Sequence, residues 1–318
     1  MKIVCLEANC LGNDVDLTCL QEFGEVVQYG SSTVEETIER VKDAEVIVVN
    51  KVPMNADTLA GATNLKVICV TATGTNIIDT EYTNGRNITV MNVKGYSTDA
   101  VVQHTFALLF YIYEKLNYYD CFVKSGEYVK NDIFSHFDKK FFELKGKRWG
   151  IIGLGEIGKG VAKVAEAFGC KVWYYSTSGK NHDQIYEQVS LEKLLQESDI
   201  ISIHAPLNEQ TTNLITKKEL SQMKKTAVLL NLGRGSIINE ADLADALEEE
   251  LIAGAALDVL AKEPMAADNP LLRVQDSTKL IITPHIAWAP VETRRRVVEE
   301  VCMNMRAYLA GEERNVVK

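Results

Sequence analysis

The chain has 318 residues, enough for two domains of ordinary size, each with its own core. Its formal net charge is −10 and its acidic residues are scattered, so no basic patch is expected to meet a nucleic acid. Seven cysteines, odd in number, unevenly spaced and without a CxxC, fit neither a disulfide framework nor a zinc site; no metal is expected, and buried thiols in a reducing cytoplasm are.

The opening Met1-Lys-Ile-Val-Cys-Leu6 reads directly as a strand, without signal-peptide architecture. The longest apolar stretch, Val101 to Tyr113, contains His104 and is too short to span a bilayer, so no membrane partner is expected. From the start, strand-like and helical runs alternate: Lys2 to Glu7, Asp14 to Phe23, Glu25 to Tyr29, Thr33 to Lys42, Ala44 to Val49, Asn55 to Ala62, Leu65 to Val70 and Ile88 to Asn92. Such alternation means a parallel sheet covered on both faces. Ser32 and Thr33, followed by Glu35 and Glu36, predict a capping box. This first α/β unit carries no glycine fingerprint and is of the kind that holds a substrate.

Between Ser97 and Tyr128 lies a helical pattern apolar nearly all round, with Val101, Val102, Phe106, Leu108, Leu109, Phe110, Ile112 and Tyr113 in its first half. A helix of that kind is buried on more than one side. It therefore sits between two domains, against a second subunit, or both, and a homodimer through residues 97–128 is expected. A polar and aromatic connector, Lys130 to Lys147, leads into the most informative stretch.

That stretch is Trp149-Gly-Ile-Ile-Gly153-Leu-Gly155-Glu-Ile-Gly158, a buried strand running through a glycine turn into a helix that ends at Gly169. Gly153 permits the tight turn, Gly155 removes a side chain where a phosphate approaches, and Gly158 lets helix and strand pack closely. The helix N-terminus offers unpaired N–H groups to a pyrophosphate. The following strand, Lys171 to Tyr175, completes the β-α-β context of a dinucleotide site. At its end, where an acid usually holds the ribose hydroxyls, stand Ser176-Thr177-Ser178-Gly-Lys180. Without a carboxylate to repel a 2′-phosphate, NADP is admissible beside NAD.

The alternation continues through helix Leu191 to Gln196, strand Asp199 to Ile203 ending in His204-Ala-Pro206, helix Lys217 to Met223 and strand Ala227 to Leu232 with its loop Gly233-Arg234-Gly235. Helix Glu240 to Glu249, strand Ala253 to Val259 with Glu263-Pro264 beyond it, strand Leu280 to Thr283 with Pro284-His285, and helix Glu292 to Ala310 complete the chain. Ligands of doubly wound sheets sit beyond the carboxyl ends of the strands, and Arg234, Glu263 and His285 all occupy that position. Beside a dinucleotide they suggest hydride transfer with acid–base assistance. A histidine donates the proton, a carboxylate fixes it and stabilises the imidazolium, and an arginine offers a planar fork to a substrate carboxylate. His136 and His182 lie in polar loops and read as solvated.

In Gly153-Leu-Gly-Glu-Ile-Gly158, His204-Ala-Pro206, Asn231-Leu-Gly-Arg-Gly235, Leu257-Asp-Val259, Glu263-Pro264 and Pro284-His285 the chain resembles the D-2-hydroxyacid dehydrogenases over essentially its whole length. Within that family Val70-Thr-Ala-Thr-Gly-Thr-Asn76, Ala100 to Thr105 and His285-Ile-Ala-Trp-Ala289 look most like the glycerate dehydrogenase branch, also called hydroxypyruvate reductases. The resemblance implies that His285 is the acid–base residue, Glu263 its partner and Arg234 the substrate anchor. It implies that the backbone of Thr73-Gly74-Thr75 receives the substrate carboxylate, with Lys51 and Trp288 lining the pocket. It implies that Asp258 holds the nicotinamide carboxamide. Gly153, Leu154, Gly155, Glu156, Ile157, Gly158, Ser176 and Thr177 would contact the cofactor, with His204, Ala205, Pro206, Thr211, Leu232, Gly233 and Ala287 beyond them.

The fold implied is α/β with two domains: a Rossmann-type doubly wound parallel sheet over 97–288, and a smaller flavodoxin-like substrate domain built from 1–96 and 289–318. Two departures stand out: Ser176 replaces the acid of NAD-specific members, and Leu232-Gly233 stands where the family often has Thr-Ala. No regulatory domain is expected after Lys318, and a glutamate at 263 disfavours a formate dehydrogenase. The expected protein is a cytoplasmic, homodimeric NAD(P)-dependent reductase of a small 2-keto acid to the D-2-hydroxy acid, hydroxypyruvate foremost. The alternatives are a D-lactate-type or broad 2-keto acid reductase, or a non-catalytic dinucleotide-sensing binding protein of the same fold.

Overall fold

Short runs of β-branched residues become two separate parallel sheets in the computed structural model, which describes residues 1–180, 182, 183 and 185–317. The chain divides into two units, Met1–Ser97 joined by Ala289–Lys318, and Thr98–Trp288.

In the first unit, β1 (Lys2–Cys5), β2 (Glu25–Gln28), β3 (Val46–Val49), β4 (Val67–Val70) and β5 (Thr89–Met91) form a sheet of order β2-β1-β3-β4-β5, parallel throughout. That is the flavodoxin-like order. The central strands β3 and β4, Val-Ile-Val-Val and Val-Ile-Cys-Val, are buried at every position, as strands covered on both faces must be. Helices α1 (Val34–Arg40), α2 (Ala56–Leu59) and α3 (Thr80–Gly85) follow β2, β3 and β4. The capping box of α1 forms between Thr33 and Glu36, while the Ser32 hydroxyl donates to the Leu6 carbonyl at 2.6 Å instead. The run Asp14 to Phe23, expected to be helical, holds only the 3₁₀ turn Thr18–Phe23. The Asp16 carboxylate accepts from the Thr18 N–H and hydroxyl at 2.8 and 2.7 Å, a local bond that competes with α-helix, and Leu17, Leu20 and Phe23 bury at the period of three that a 3₁₀ turn sets. The last helix of the chain, Val291–Ala310, also belongs to this unit.

The second unit begins with α4 (Thr98–Tyr113) and α5 (Leu116–Lys124), two helices where the sequence suggests one. Lys115 between them takes φ +57°, a left-handed conformation that no helix continues through. The sheet follows: β6 (Arg148–Ile152), β7 (Lys171–Tyr175), β8 (Glu187–Gln188), β9 (Ile200–Ile203), β10 (Val228–Asn231), β11 (Gly254–Leu257) and β12 (Leu280–Ile282). Its order is β12-β11-β10-β9-β6-β7-β8, again parallel. Helices α6 (Glu156–Ala167), α7 (Leu191–Glu197), α8 (Lys217–Leu220) and α9 (Glu240–Glu248) connect the strands. This is the doubly wound dinucleotide-binding order, and it reverses between β6 and β9, which opens a crevice beyond their carboxyl ends.

The apolar surface of α4 is buried inside this unit. It packs on α6 and across β10, β11 and β12, with the Phe106 ring 5.0 Å from the fully buried Trp149. No second subunit is needed to explain its composition. Apolar side chains do remain exposed in the segment that follows, at Val123, Val129, Ile133, Phe134, Phe137, Phe141 and Phe142.

Candidate active site

At the head of the crevice, Gly153 has φ +92°, and a Cβ there would lie 2.8 Å from the Ala205 backbone; one on Gly158 would lie 2.4 Å from the Gly153 carbonyl. Those two glycines bring the turn, the β9 loop and the helix together. Gly155 differs: a Cβ there would meet nothing within 4 Å. It is the N-cap of α6 and supplies no side-chain cap, so the first turn of a 12-residue helix presents its N–H groups beside open space. That is the cradle a pyrophosphate requires.

His204 directly follows β9, beside this turn. Both of its ring nitrogens are buried and neither has a hydrogen-bond partner, and burial pushes its pKa down to about 3. A neutral imidazole with two orphaned nitrogens is what a ligand carrying hydroxyls or an amide would satisfy. Ser176, at the end of β7, is buried, Thr177 half-buried and Lys180 exposed. Thr211 is fully buried, its hydroxyl donating to the Pro206 carbonyl at 2.8 Å and accepting from the Asn208 N–H at 2.8 Å. It shapes the 206–211 loop rather than offering itself to a ligand. Leu154, Ala205, Leu232 and Ala287 are buried, Ile157 half-buried, and Glu156 and Pro206 exposed.

The residues of acid–base type come together in the same unit. His285 Nδ1 lies 2.7 Å from Glu263 Oε2, and Glu263 Oε1 accepts from the Leu260 N–H at 3.0 Å. The carboxylate is thus aimed by its own loop. That loop is tied down by Glu240, at the start of α9, which accepts from the Ala261 N–H at 2.7 Å and the Asn269 amide at 2.8 Å. Arg234 is exposed on the loop after β10. Asn231, 1% exposed, accepts from the Gly233 N–H and donates to the Arg234 carbonyl, both at 3.0 Å, and so staples that loop.

Asp258 is also 1% exposed. Its Oδ1 accepts from the Ile286 N–H and the Thr283 hydroxyl at 2.9 and 2.6 Å, and its Oδ2 from the Ala287 N–H at 2.9 Å. Its carbonyl accepts from the His285 N–H at 2.8 Å. A carboxylate has about four acceptor positions, so one on Oδ2 remains for a ligand amide. The larger share of this side chain holds the His285 turn, which has φ +55°, a conformation costly for a residue with a Cβ.

In the first unit the carboxyl-end rim carries the other candidates. The N–H groups of Thr73, Gly74 and Thr75 donate to nothing among the described residues, while the Thr73 hydroxyl and carbonyl are tied to Val93 and Asn92. Lys51 is exposed on the loop after β3, whose three successive N–H groups, Asn50, Lys51 and Val52, all donate to Glu7 Oε2 at 2.8–3.1 Å. Trp288 is half-buried at the end of the second unit. Asn231, Glu240, Glu7 and Thr283 escape sequence reading because their work is to hold loops. Asn231 does open one quoted motif and Thr283 abuts another, which is the one signal available.

A dinucleotide crevice with a histidine–carboxylate dyad on the same sheet edge defines a nicotinamide-dependent oxidoreductase. Residues 106–287 match the family model described as D-isomer specific 2-hydroxyacid dehydrogenase, NAD binding domain. The chain is 38% identical over 321 residues to a glycerate dehydrogenase of Methylorubrum extorquens, covering 100% of this chain and 99% of that protein. It is 37% identical over 324 residues to a hydroxypyruvate reductase of Blautia hydrogenotrophica, covering 100% and 99%. Among solved structures, an acyclic imino acid reductase in complex with NADPH and D-Arg superposes with a TM-score of 0.86 at 30% identity, covering 100% of both chains. The chain belongs to the D-isomer-specific 2-hydroxyacid dehydrogenase family, whose members are NAD(P)-dependent oxidoreductases.

Proposed function

We propose that the protein reduces hydroxypyruvate to D-glycerate. The observation that carries this reading is the His285–Glu263 contact of 2.7 Å beside a dinucleotide crevice, in a chain similar from end to end to a glycerate dehydrogenase. The reduced nicotinamide, when bound, supplies hydride to the carbonyl carbon. Glu263 accepts from Nδ1–H and stabilises the imidazolium, which presents its Nε2–H to the carbonyl oxygen and gives up that proton as the hydride arrives, leaving the neutral imidazole with Nδ1–H still on the carboxylate. Arg234 offers its guanidinium to the anionic substrate. Asp258 holds the turn that aims His285, and its remaining acceptor position takes the nicotinamide amide. The unengaged N–H groups of Thr73, Gly74 and Thr75 are the first unit's candidate for an anion.

Gly153 to Gly158 and Ser176 hold the cofactor. Serine at 176 and Lys180 beyond it admit both NADH and NADPH. We further propose a homodimer through α5 and the exposed apolar segment after it, and a cytoplasmic location, which unpaired thiols suit. No described helix is long and apolar enough to cross a membrane.

The test is the initial rate of NADH and NADPH oxidation with hydroxypyruvate, beside pyruvate and glyoxylate. A rate with hydroxypyruvate at least tenfold above the others is expected. No turnover of any keto acid by protein that still binds NADH overturns the assignment.

A further inference from the structure

A second histidine reaches the same network from the helix layer. His104, on α4, places Nε2 3.1 Å from the Thr283 hydroxyl and 3.5 Å from Asp258 Oδ1. The Thr283 hydroxyl has one proton and gives it to Asp258 Oδ1 at 2.6 Å, so toward His104 it can only accept. Nε2 of His104 therefore carries a hydrogen. The resulting chain runs in one direction, from His104 Nε2–H to Thr283 O–H to the Asp258 carboxylate, and Asp258 accepts from the two N–H groups that follow His285. Elsewhere α4 places Phe106, Leu109 and Ile112 in one apolar cluster with the strand residues Trp149, Leu230 and Ala256. Packing alone thus does not call for a histidine at this position.

We propose that His104 is a positioning residue for His285, acting through Thr283 and Asp258. Its N–H fixes the Thr283 hydroxyl, the hydroxyl fixes the carboxylate, and the carboxylate holds the left-handed turn that presents the imidazole. The proposal rests on reading His285 as the proton donor. In buried networks of this kind the loss of an outer member propagates inward, because each group polarises and orients the next.

The experiment measures kcat, KM for the keto acid and NADH affinity by fluorescence, together with the downfield ring-proton resonance of His285 in the cofactor-free protein. The variants are His104→Leu, His104→Gln, Thr283→Val, their double mutant with His104→Leu, and His285→Gln. His104→Leu is expected to lower kcat about tenfold, the factor one lost hydrogen bond accounts for, with KM and NADH affinity little changed and the resonance shifted or broadened. His104→Gln keeps a donor at the Nε2 position and is expected to restore most of the rate and the resonance. The double mutant should be no worse than Thr283→Val alone, since the two act in series.

Turnover of His104→Leu within twofold of the parent with an unmoved resonance overturns the proposal. So does equal impairment of His104→Gln, or losses that multiply in the double mutant. If His285→Gln keeps the parent's turnover, it is the proton-donor reading that fails. The positioning claim is then decided by the resonance alone: moved in His104→Leu and restored in His104→Gln supports it, and unmoved overturns it.

Discussion

The His285 and Glu263 side chains are each about a third exposed, at 31%. What makes the pair a catalytic candidate is less its burial than the number of fixed groups behind it: the Leu260 N–H on Glu263, and the Asp258 carboxylate and carbonyl under His285. Replacing His285 by Gln is expected to lower kcat by about 10² to 10⁴, the usual worth of general acid–base catalysis, in steady-state assays with hydroxypyruvate. Turnover within threefold of the parent would remove its assigned role. At position 176 the proposed device is the missing charge. Ser176→Asp is expected to shift the ratio of kcat/KM for NADH over NADPH at least about tenfold toward NADH, because a carboxylate holds ribose hydroxyls and repels a 2′-phosphate. His204 makes a prediction about stability. Its pKa falls from 6.5 in the unfolded chain to about 3 in the fold, through burial. Between those values the unfolded state binds a proton that the native state refuses, so the contribution is unfavourable and grows as pH falls below 6.5. At pH 5 it amounts to about 2 kcal/mol. Urea denaturation of the parent and of His204→Leu should therefore differ more at pH 5 than at pH 7, the variant gaining at the lower pH.

At the scale of elements, the glycines of the site separate into those that fold the loops and one left open for a ligand. A Cβ on Gly235 would sit 1.8 Å from the Leu260 carbonyl carbon, whereas one on Gly155 touches nothing. Gly235→Ala is expected to cost about 3 kcal/mol or more in denaturant, as overpacking against backbone does. Gly155→Ala should leave the melting temperature within about 2 °C, since its φ of −83° suits alanine, yet weaken NADH about tenfold or more because the methyl fills the anion cradle. A Gly155→Ala variant with parental NADH affinity would show that the cofactor does not approach this turn. Much of this was legible beforehand: the glycine spacing announced the turn, and the strand ends announced Arg234, Glu263 and His285. The break at Lys115 was not, because an apolar run with no proline or glycine reads as one helix, and only packing of α4 on β10, β11 and β12 shows where it must stop.

For the whole molecule the open matter is assembly. Val129, Phe134 and Phe137 are 87, 90 and 74% exposed, an apolar display that a soluble monomer seldom carries. Light scattering at micromolar concentration should return twice the chain mass. Phe134→Glu with Phe137→Glu should return the chain mass once, with the NADH fluorescence signal retained. A parent that scatters as a monomer would remove the dimer.

The order of elements, the parallel sheets and the identity of the catalytic candidates are properties the chain carries in one dimension. Strand period, turn glycines and residues placed just past strand ends survive in sequence because they are local. The tertiary structure alone decided what lies behind them. Asp258 clamping the His285 turn, Asn231 stapling the Arg234 loop, Glu7 gathering three N–H groups and His104 meeting Thr283 across 179 positions are contacts between segments that only a folded chain brings within hydrogen-bond reach. Periodicity carries no trace of them, since a residue that holds a distant loop looks like any other polar residue until the loop arrives.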